Sequence, residues 1–422
     1  MGEEVARRPF EKSRLDDYLQ LYYKRGIFPF KPYTNWLYYS KKPSEYFNLR
    51  EFAFILDKDG EEVHLRYRSF ADAHEFEKEL CKTSPAKLDL GAIYNYAPKD
   101  GKKLPDFRAI ERELIFDIDL NDYDQVRKCC EGATVCEKCW KFIVMAVKIL
   151  DARLRNDFGF KALLYVFSGR RGVHCWVGDE KARKLTNSAR SAFAEYLSIF
   201  EGQKMELRPT GKGRVKTVLH PMIEDCYDVI MTAENGELVK QMIIDQGWLE
   251  KEEEALKDCK NPQLREELAR IFTLSKPATR WWMLRLKCDE KTWRAERDKK
   301  TKDMPEMPPS DEARFFLRQW VLARLYPRLD VNVSTGVNHL LKSPFCIHPK
   351  TGCVAVPIDA ANVHKFDVST APRVDQLLEE LDTFNREAGD GENRENRKML
   401  AYKHTSLAPH VEVFNKFVEL TK

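Results

Sequence analysis

The sequence lacks the long apolar runs of a membrane protein. No stretch approaches the about 20 apolar residues that a spanning helix needs, and the start, MGEEVARRPFEKSRLDDYLQ, lacks the apolar middle of a secretory signal. Ala6 stands where a myristoylation motif after Gly2 needs Ser or Thr. We therefore expect a soluble, intracellular protein whose 11 cysteines stay reduced.

Net charge is also small. The 71 Lys and Arg residues nearly balance the 67 Asp and Glu residues, so the formal charge is only +4. An anionic partner must therefore be held by local patches and not by the field of the whole molecule.

There are no internal repeats, which excludes a repeat architecture, and 422 residues allow two or three domains.

The order of the predicted elements is mixed α and β. Residues 15–39 have helical apolar spacing, interrupted at Gly26 and Pro29. EFAFIL and EVHLRYRSF predict a hairpin around the turn DKDG, in which Gly60 supplies the permissive backbone. The other predicted strands are KLDLGAIY, LIFDIDL, LLYVFSG and VHCWVGD. KFIVMAVKILDARLRNDF predicts a buried helix, and a further helix is expected over 180–200.

Composition divides the chain into four expected parts. Residues 1–201 would form the first part of an α/β core, with a zinc module at about 129–139, and 202–307 a helical insertion. Strand signals return at 328–333 and 345–358, so 308–382 would complete the core. The polar stretch 383–396 predicts a linker before a last amphipathic helix, which makes 383–422 the final part.

LIFDIDL places two carboxylates inside an apolar run. Side chains alternate along a strand, so Leu114, Phe116, Ile118 and Leu120 would share one face while Asp117 and Asp119 stand on the other. At roughly 7 Å apart they can converge on one divalent cation, which would relieve their repulsion. A solvent-facing strand with acidic outer positions is the plainer alternative. RLDVNV repeats the pattern, and Asp330 would complete the carboxylate set of two-metal phosphoryl transfer.

Two basic segments have the chemistry of a phosphate site. SGRRGVHCW presents four polar residues around a tight turn: Ser168, Arg170, Arg171 and His174. Glycine lets the backbone approach an anion, and guanidinium groups make paired bonds to phosphate oxygens, so the segment predicts a triphosphate cradle. A solvated basic hairpin is the alternative. NHLLKSPFCIHPKTG adds three donors: His339, Lys342 and His348. Each histidine taken alone would be a packing or hydrogen-bonding residue.

Four cysteines within eleven residues form the pattern CC-x5-C-x2-C: Cys129, Cys130, Cys136 and Cys139. Four thiolates match tetrahedral zinc in a closed structural site. The adjacent pair departs from the usual CxxC knuckle, and partly buried free thiols are the alternative. The other seven cysteines are scattered, and we interpret them as small apolar residues.

Together, these segments resemble the catalytic small-subunit family of eukaryotic DNA primases, within the archaeo-eukaryotic primase superfamily. The resemblance is carried by FDIDLNDYD, CC-x5-C-x2-C, FGF before YVFSGRRGVHCWV, and PRLDVNVSTGVNHLLKSPFCIHPKTG, with echoes in REFAF, KLDLGAIY and YKHTSLAPHV. It implies a mixed α/β (α+β) catalytic core with an inserted helical subdomain and a small zinc-binding module.

The resemblance also implies roles for individual residues. Catalytic carboxylates that bind Mg²⁺ or Mn²⁺ would be Asp117, Asp119 and Asp330, with Glu51 of REFAF at the active site. The nucleotide would be bound by Arg66, Ser168, Arg170, Arg171, Gly172, Val173, His174, His339, Leu340, Leu341, Lys342 and His348. The four clustered cysteines would hold Zn²⁺.

The implied activity is template-directed synthesis of short RNA primers on single-stranded DNA, from ribonucleoside triphosphates, by two-metal nucleotidyl transfer. Implied partners are a large primase subunit and the DNA polymerase α complex, in the nucleus. One alternative is a single-chain primase-polymerase for damage tolerance, which would need a further C-terminal module; after Pro349 we find only Cys353 and no metal-ligand cluster. Another is a zinc-containing nucleic-acid-binding protein without catalysis, against which the complete carboxylate set argues.

Overall fold

The computed structural model of the chain describes residues 8–58, 61–201, 204–205, 219–299, 301, 304–388 and 400–422. The chain divides into two compact units. Unit 1 contains Met1–Asp117, Gly159–Leu197 and Leu329–Lys422, and unit 2 contains Ile118–Phe158 and Ser198–Arg328. Helices and sheets are mixed, which confirms the expected fold class. The division into four domains stays a prediction.

The described strands form three sheets. They are β1 (Arg50–Lys58), β2 (Glu61–Arg68), β3 (Lys87–Tyr94), β4 (Ala109–Glu111), β5 (Leu114–Asp119), β6 (Leu163–Phe167), β7 (Gly172–Val177), β8 (Phe200–Glu201), β9 (Lys204–Met205), β10 (Leu341–Lys342) and β11 (Pro357–Ile358). The first sheet has the order β10-β3-β1-β2, with β4 paired to β3. The second has the order β11-β6-β7-β5, and β8 pairs with β9.

The α-helices surround these sheets in unit 1 and form most of unit 2. They are α1 (Leu15–Lys24), α2 (Phe30–Tyr38), α3 (Ala73–Thr83), α4 (Pro98–Gly101), α5 (Glu137–Asn156), α6 (Glu180–Arg183), α7 (Asn187–Leu197), α8 (Pro221–Ile230), α9 (Ala233–Asp245), α10 (Glu252–Ala255), α11 (Pro262–Ala269), α12 (Pro277–Cys288), α13 (Glu290–Asp298), α14 (Asp311–Leu325), α15 (Val331–Thr335), α16 (Val374–Ala388) and α17 (Ala408–Leu420). Among the described residues, no helix combines the length and the apolar character needed to cross a bilayer.

Aromatic packing holds two helices against the second sheet of unit 1. β6 and β7 are buried along their whole length, as strands covered on both faces are. Trp176 of β7 meets Trp36 of α2 edge-on with ring centroids 5.6 Å apart, and Trp36 meets Phe414 of α17 at 5.6 Å. Such buried aromatic contacts stabilise the sheet that carries β5.

Unit 2 is mainly helical. The α5 helix buries most of its residues, as its continuous apolar stretch predicts, and Lys141 on its remaining polar side pairs with Asp245 of α9 at 2.7 Å. Trp320 of α14 contacts Trp248 and Trp281 with ring centroids 6.2 and 6.0 Å away. The largely helical segment expected over 202–307 is confirmed where that stretch is described, as α8 through α13.

Several predicted elements of unit 1 are confirmed. The apolar spacing over 15–39 gives α1 and α2. The predicted hairpin is β1 and β2, which pair antiparallel, while Gly60 in its turn lies outside the described residues. The strands around SGRRG are β6 and β7, also antiparallel. The last amphipathic helix is α17.

The strand predicted over 328–333 is wrong. The chain forms α15 there, because the Asp330 carboxylate caps the helix N-terminus by accepting the backbone N–H of Asn332. The helix predicted over 180–200 is two helices, α6 and α7. The strand predicted over 345–358 is reduced to β11 and an isolated Ile347–Val354 bridge.

The polar linker predicted over 383–396 is also wrong in its first part. Residues 383–388 belong to α16, because this stretch contains good helix formers and continues a helix whose Leu377 and Leu381 are buried. Residues 389–396 lie outside the described residues.

Candidate active site

Strand β5 presents the two predicted carboxylates as the alternation requires. Its four apolar residues are buried, whereas Asp117 and Asp119 are partly exposed on the same side of the strand. Asp119 ends the strand, and its carboxylate accepts the backbone N–H of Asn121 at 2.9 Å. The two acidic side chains therefore lie on an accessible face of the strand, and the opposite face is buried.

Asp330 reaches Asp117 although it is not on a strand. Its backbone N–H donates to the carbonyl oxygen of Asp117 at 3.2 Å, and its carboxylate accepts the Asn332 N–H at 3.0 Å. The Ser334 hydroxyl donates to the carbonyl oxygen of Ile115 at 2.6 Å. Two hydrogen bonds thus attach α15 and its N-cap residue to β5. They bring Asp330 next to Asp117 at a helix N-terminus, whereas the alternation of side chains predicted a strand.

His174 faces Asp117 from the adjacent strand. Its Nε2 lies 3.6 Å from Asp117 Oδ1, and only 7% of the residue is exposed. Burial, and then the charge of Lys342, lower the pKa of His174 to about 3. The ring is therefore neutral near pH 7. Its Nδ1 is buried without a hydrogen-bond partner among the described residues.

The turn between β6 and β7 is closed by its own hydrogen bonds. Ser168 N–H donates to Gly172 O at 2.9 Å, and Gly172 N–H donates to Ser168 Oγ at 3.1 Å. Gly169 has φ +86°, and a Cβ there would lie 2.7 Å from His348 Cβ, so only glycine fits. Arg170 and Arg171 at its tip are partly exposed.

Lys342 connects this turn to the first sheet. Its Nζ donates to Ser168 O at 3.1 Å, and it pairs across β10 and β3 with Asp89. Burial lowers the pKa of Lys342 and raises the pKa of Asp89. The negative charge of Asp117 acts in the opposite direction and raises the pKa of Lys342. The Lys342 ammonium therefore lies close enough to this predicted catalytic carboxylate to interact with it electrostatically.

The two other predicted histidines border the same region. Burial, with Lys342 and Arg170 adding to it, lowers the pKa of His348 to about 3. Its Nδ1 accepts the Lys350 N–H at 3.2 Å, so the proton of the neutral ring belongs on Nε2, where it can be donated. Burial is the main cause that lowers the pKa of His339, and the positive charge of Arg112 lowers it further. The negative charge of Asp330 acts in the opposite direction.

Glu51 is fully buried at the base of the first sheet. Its carboxylate accepts Arg66 Nε at 3.1 Å, the Tyr67 N–H at 3.2 Å and the Tyr94 hydroxyl at 3.0 Å. Tyr67 has φ +59° at an irregularity in the β1–β2 register, which turns its N–H toward Glu51. A Cβ on Gly91 would lie 2.9 Å from Glu51 Oε2 and 3.0 Å from Leu340 Cδ2. Glu51 therefore orients Arg66, whose side chain is 39% exposed.

Sequence reasoning missed three polar residues beside the site: Asp89, Tyr94 and Glu113. Glu113 forms a fully buried ion pair with Arg50 at 2.8 Å; burial opposes its ionisation, but Arg50 and hydrogen bonds lower its pKa to about 2. Asp89 was detectable, because KLDLGAIY embeds a carboxylate in an apolar strand as LIFDIDL does.

The four clustered cysteines of unit 2 lie together. Their sulfur atoms are within 4.8 Å of one another, and theirs is the one group of three or more metal-ligating side chains gathered among the described residues. Cys136 Sγ and Cys139 Sγ are 3.8 Å apart; tetrahedral zinc, with Zn–S bonds of about 2.3 Å, needs about 3.8 Å between sulfurs. The cluster can therefore hold a metal such as zinc.

Two neighbouring side chains lie close to the sulfur atoms of the cysteine cluster. Gln246 Nε2 donates to Cys129 Sγ at 3.3 Å, and Arg127 Nη1 lies 3.9 Å from Cys139 Sγ. Burial raises the pKa of Cys129, Cys130 and Cys139 to about 11. Such outer donors stabilise thiolates once a cation replaces their protons. Of the other seven cysteines, Cys81 is partly exposed and the rest are buried.

The carboxylates on β5 and α15 offer a different donor set. Oxygen ligands suit hard divalent cations such as Mg²⁺ and Mn²⁺, whereas thiolates suit zinc. The hydrogen bond from the Asp330 N–H to Asp117 O brings the main chains of these two residues together. The oxygen chemistry of the three side chains suits such an ion, but the structure does not gather their carboxylates as it gathers the four thiols.

Comparison with known proteins gives a single family. A family model described as DNA primase small subunit matches residues 116–360. The DNA primase small subunit of Caenorhabditis elegans is 50% identical over 97% of this chain and 98% of its own length. Those of Drosophila melanogaster and Saccharomyces cerevisiae are 36% identical, over 99% and 86% of this chain and 93% and 85% of their own lengths.

Proposed function

This chain belongs to the DNA primase small subunit family, and we propose that it is the catalytic subunit of a DNA primase. Its reaction would be template-directed synthesis of short RNA primers on single-stranded DNA from ribonucleoside triphosphates. The observation that carries this proposal is the convergence within unit 1 of Asp117, Asp330, His174 and Lys342 beside the turn at 168–172.

The reaction forms one bond and breaks one. The 3′-hydroxyl oxygen of the growing strand attacks the α-phosphorus of the incoming nucleotide, pyrophosphate leaves with the electrons of the broken P–O bond, and the hydroxyl proton passes to solvent. Asp117, Asp119 and Asp330 would hold Mg²⁺ or Mn²⁺, and the bound ion would supply Lewis acidity. Neutral His174, beside Asp117, orients the substrate by hydrogen bonding.

The triphosphate would lie against the turn at 168–172. Arg170, Arg171 and Lys342 supply positive charge, which offsets the negative charge of the phosphates in the transition state. Glu51 holds Arg66 for a further phosphate contact. The remaining predicted contacts are Ser168, Gly172, Val173, His339, Leu340, Leu341 and His348.

We also propose an assembly around this chain. The relatives are named small subunits, which supports a larger complex. We place the chain with a large primase subunit and the DNA polymerase α complex in the nucleus. The cysteine cluster would hold one structural Zn²⁺, because four protein thiolates leave no open coordination position.

A primer-extension assay tests the proposal. The full chain is given an RNA primer annealed to single-stranded DNA, ribonucleoside triphosphates, and Mg²⁺ or Mn²⁺. We expect additions that follow the template sequence and that Asp117→Asn abolishes. Binding of the DNA without any addition would overturn the proposal in favour of a non-catalytic nucleic-acid-binding protein.

A further inference from the structure

A segment of unit 1 that includes α4 and the start of β4 concentrates exposed apolar side chains. The described residues contain seven large hydrophobic side chains that are exposed, and three of them lie within 95–110: Tyr96, Leu104 and Ile110. We call residues 95–110 the basic loop. Clustered exposure of this kind marks a binding surface more often than scattered single residues do.

The basic loop also carries uncompensated positive charge. Lys102, Lys103 and Arg108 are exposed and have no ion-pair partner among the described residues. Asp106, one of the two acidic residues of the loop, accepts the Tyr96 hydroxyl at 2.9 Å. In a chain whose overall charge is only +4, such a local patch is where an anionic partner would bind.

The loop is held in one conformation. The Asn95 side chain donates to Asp106 O at 3.0 Å and accepts the Arg108 N–H at 2.9 Å, which closes the base of the loop. A Cβ on Gly101 would lie 2.5 Å from Tyr96 Cβ, so the tyrosine packs directly on the glycine backbone. Its ring is therefore fixed while 39% of the residue remains exposed.

Stacked aromatic rings connect the basic loop to the nucleotide site. Phe107 stacks on Tyr94 with ring centroids 4.3 Å apart and planes within 5° of parallel. The Tyr94 hydroxyl donates to Glu51, which pairs with Arg66. A ligand on the loop would thus lie beside the residue that we assign to the triphosphate.

We propose that the basic loop binds the single-stranded DNA template next to the nucleotide site. A base would stack on Tyr96, while Lys102, Lys103 and Arg108 contact phosphates; an aromatic ring flanked by cations is how proteins bind single strands without sequence preference. Lysine is depleted at protein interfaces, so the charge favours nucleic acid over a protein partner. The inference rests on the proposed function and assigns it a template surface.

Charge reversal tests the phosphate contacts. The full-chain K102E/K103E variant is titrated with fluorescent oligo-dT at several salt concentrations. We expect about a tenfold or greater loss of affinity, and a salt dependence whose logarithmic slope falls by about 1.4, because each single-strand phosphate contact contributes about 0.7. Lys403 and Lys416 are exposed on another part of unit 1, and K403E/K416E, with the same change in charge, should leave affinity and slope unchanged.

Two substitutions at Tyr96 test the stacking. Y96A should weaken oligo-dT binding about tenfold, with little change in the salt slope. Y96F keeps the ring, loses only the hydrogen bond to Asp106, and should restore most of the affinity. In primer extension, both K102E/K103E and Y96A should raise the apparent KM for template and leave that for nucleotide unchanged.

The outcomes separate this inference from the proposed function. If the wild-type chain extends primers but K102E/K103E binds DNA as K403E/K416E does, the template surface is refuted and the function stands. If the variant loses only its association with a large subunit, the basic loop is a protein interface and the inference is wrong. A wild-type chain that adds no nucleotides refutes the function itself.

Discussion

The backbone N–H of Asp330 donates a hydrogen bond to the carbonyl oxygen of Asp117 at 3.2 Å. The two residues come from distant parts of the chain, and the bond joins their main chains. Because Asp330 also caps α15 with its side chain, its backbone is fixed twice. Groups held in this way need little rearrangement when substrate binds.

Asp330→Asn should separate ligation from capping. Asparagine is as good an N-cap as aspartate, so the apparent Tm should stay close to that of the wild-type protein. Loss of the negative charge should reduce nucleotide addition by about 100-fold or more. Primer extension and thermal unfolding on the same preparation measure both effects. Near wild-type addition by the Asp330→Asn protein would remove Asp330 from the site.

A second substitution should restore part of the stability that Arg66→Ala removes. Removing Arg66 leaves the fully buried Glu51 carboxylate without its cation, which costs about 3 kcal/mol when a buried pair is broken and less here because Arg66 is partly exposed. Glu51→Gln in the same protein removes the uncompensated charge. The double variant should therefore unfold at a higher temperature than Arg66→Ala alone.

The second substitution should not restore the apparent affinity for nucleotide. Both the single variant and the double variant lack the guanidinium, so each should show a raised apparent KM for nucleotide. If restoring stability also restored nucleotide affinity, Arg66 would be a structural residue only. The cycle of single and double variants isolates the coupling between the two side chains.

The sequence alone predicted the features that depend on local periodicity. Alternation in LIFDIDL predicted the face shared by Asp117 and Asp119, and the glycines that flank the two arginines of SGRRG predicted a turn between two strands. These features follow from neighbouring residues. The cysteine spacing likewise placed four thiols together, since they lie within eleven residues of one another.

Features that depend on distant contacts were not predictable in the same way. RLDVNV alternates like a strand, but Asp330 is a strong N-cap and the chain turns into α15. Tyr94 ends the predicted strand KLDLGAIY, and only the fold shows that its hydroxyl meets Glu51. Which carboxylate meets which cation is decided by sheet register, as for Asp89 and Lys342 across β3 and β10.

The cysteine cluster should bind about one zinc ion per chain. Changing Cys136 and Cys139 together to serine should abolish zinc binding and lower the apparent Tm, because folding of such sites is coupled to the metal. Cys81→Ser is the matched control, since Cys81 is partly exposed and lies outside the cluster. Metal analysis and thermal unfolding measure the result; undiminished zinc in the double variant would rule out the site.

Stability should fall in mild acid. The pKa values of His174 and His348 are lowered to about 3 in the folded protein, below the about 6.5 of an unfolded chain. The unfolded state therefore binds more protons between these values, and the stabilisation present above about pH 6.5 is lost as pH falls. His348→Asn retains an acceptor for the Lys350 N–H and should show a smaller drop in apparent Tm between about pH 7.5 and about pH 5. An equal drop in both proteins would show that His348 does not contribute.

Starting a primer should be harder for this chain than extending one. The first dinucleotide requires two nucleotides and a template to be held together without the entropic advantage of an existing strand. Within the described residues we propose one triphosphate cradle, at 168–172 with Lys342. The cysteine cluster, with four protein thiolates, leaves no position for a nucleotide. A second subunit should therefore supply the site for the initiating nucleotide.

We expect the isolated chain to extend a supplied RNA primer but to start new chains poorly. Adding a large primase subunit should raise the initiation rate by far more than the extension rate. The two rates are measured on one preparation, with and without the partner, using an unprimed strand and a primed one. The Asp117→Asn protein with the partner present is the control, because any initiation there would come from the partner. Equal initiation by the wild-type chain in both conditions would show that it holds both nucleotides by itself, and would return weight to the single-chain primase-polymerase.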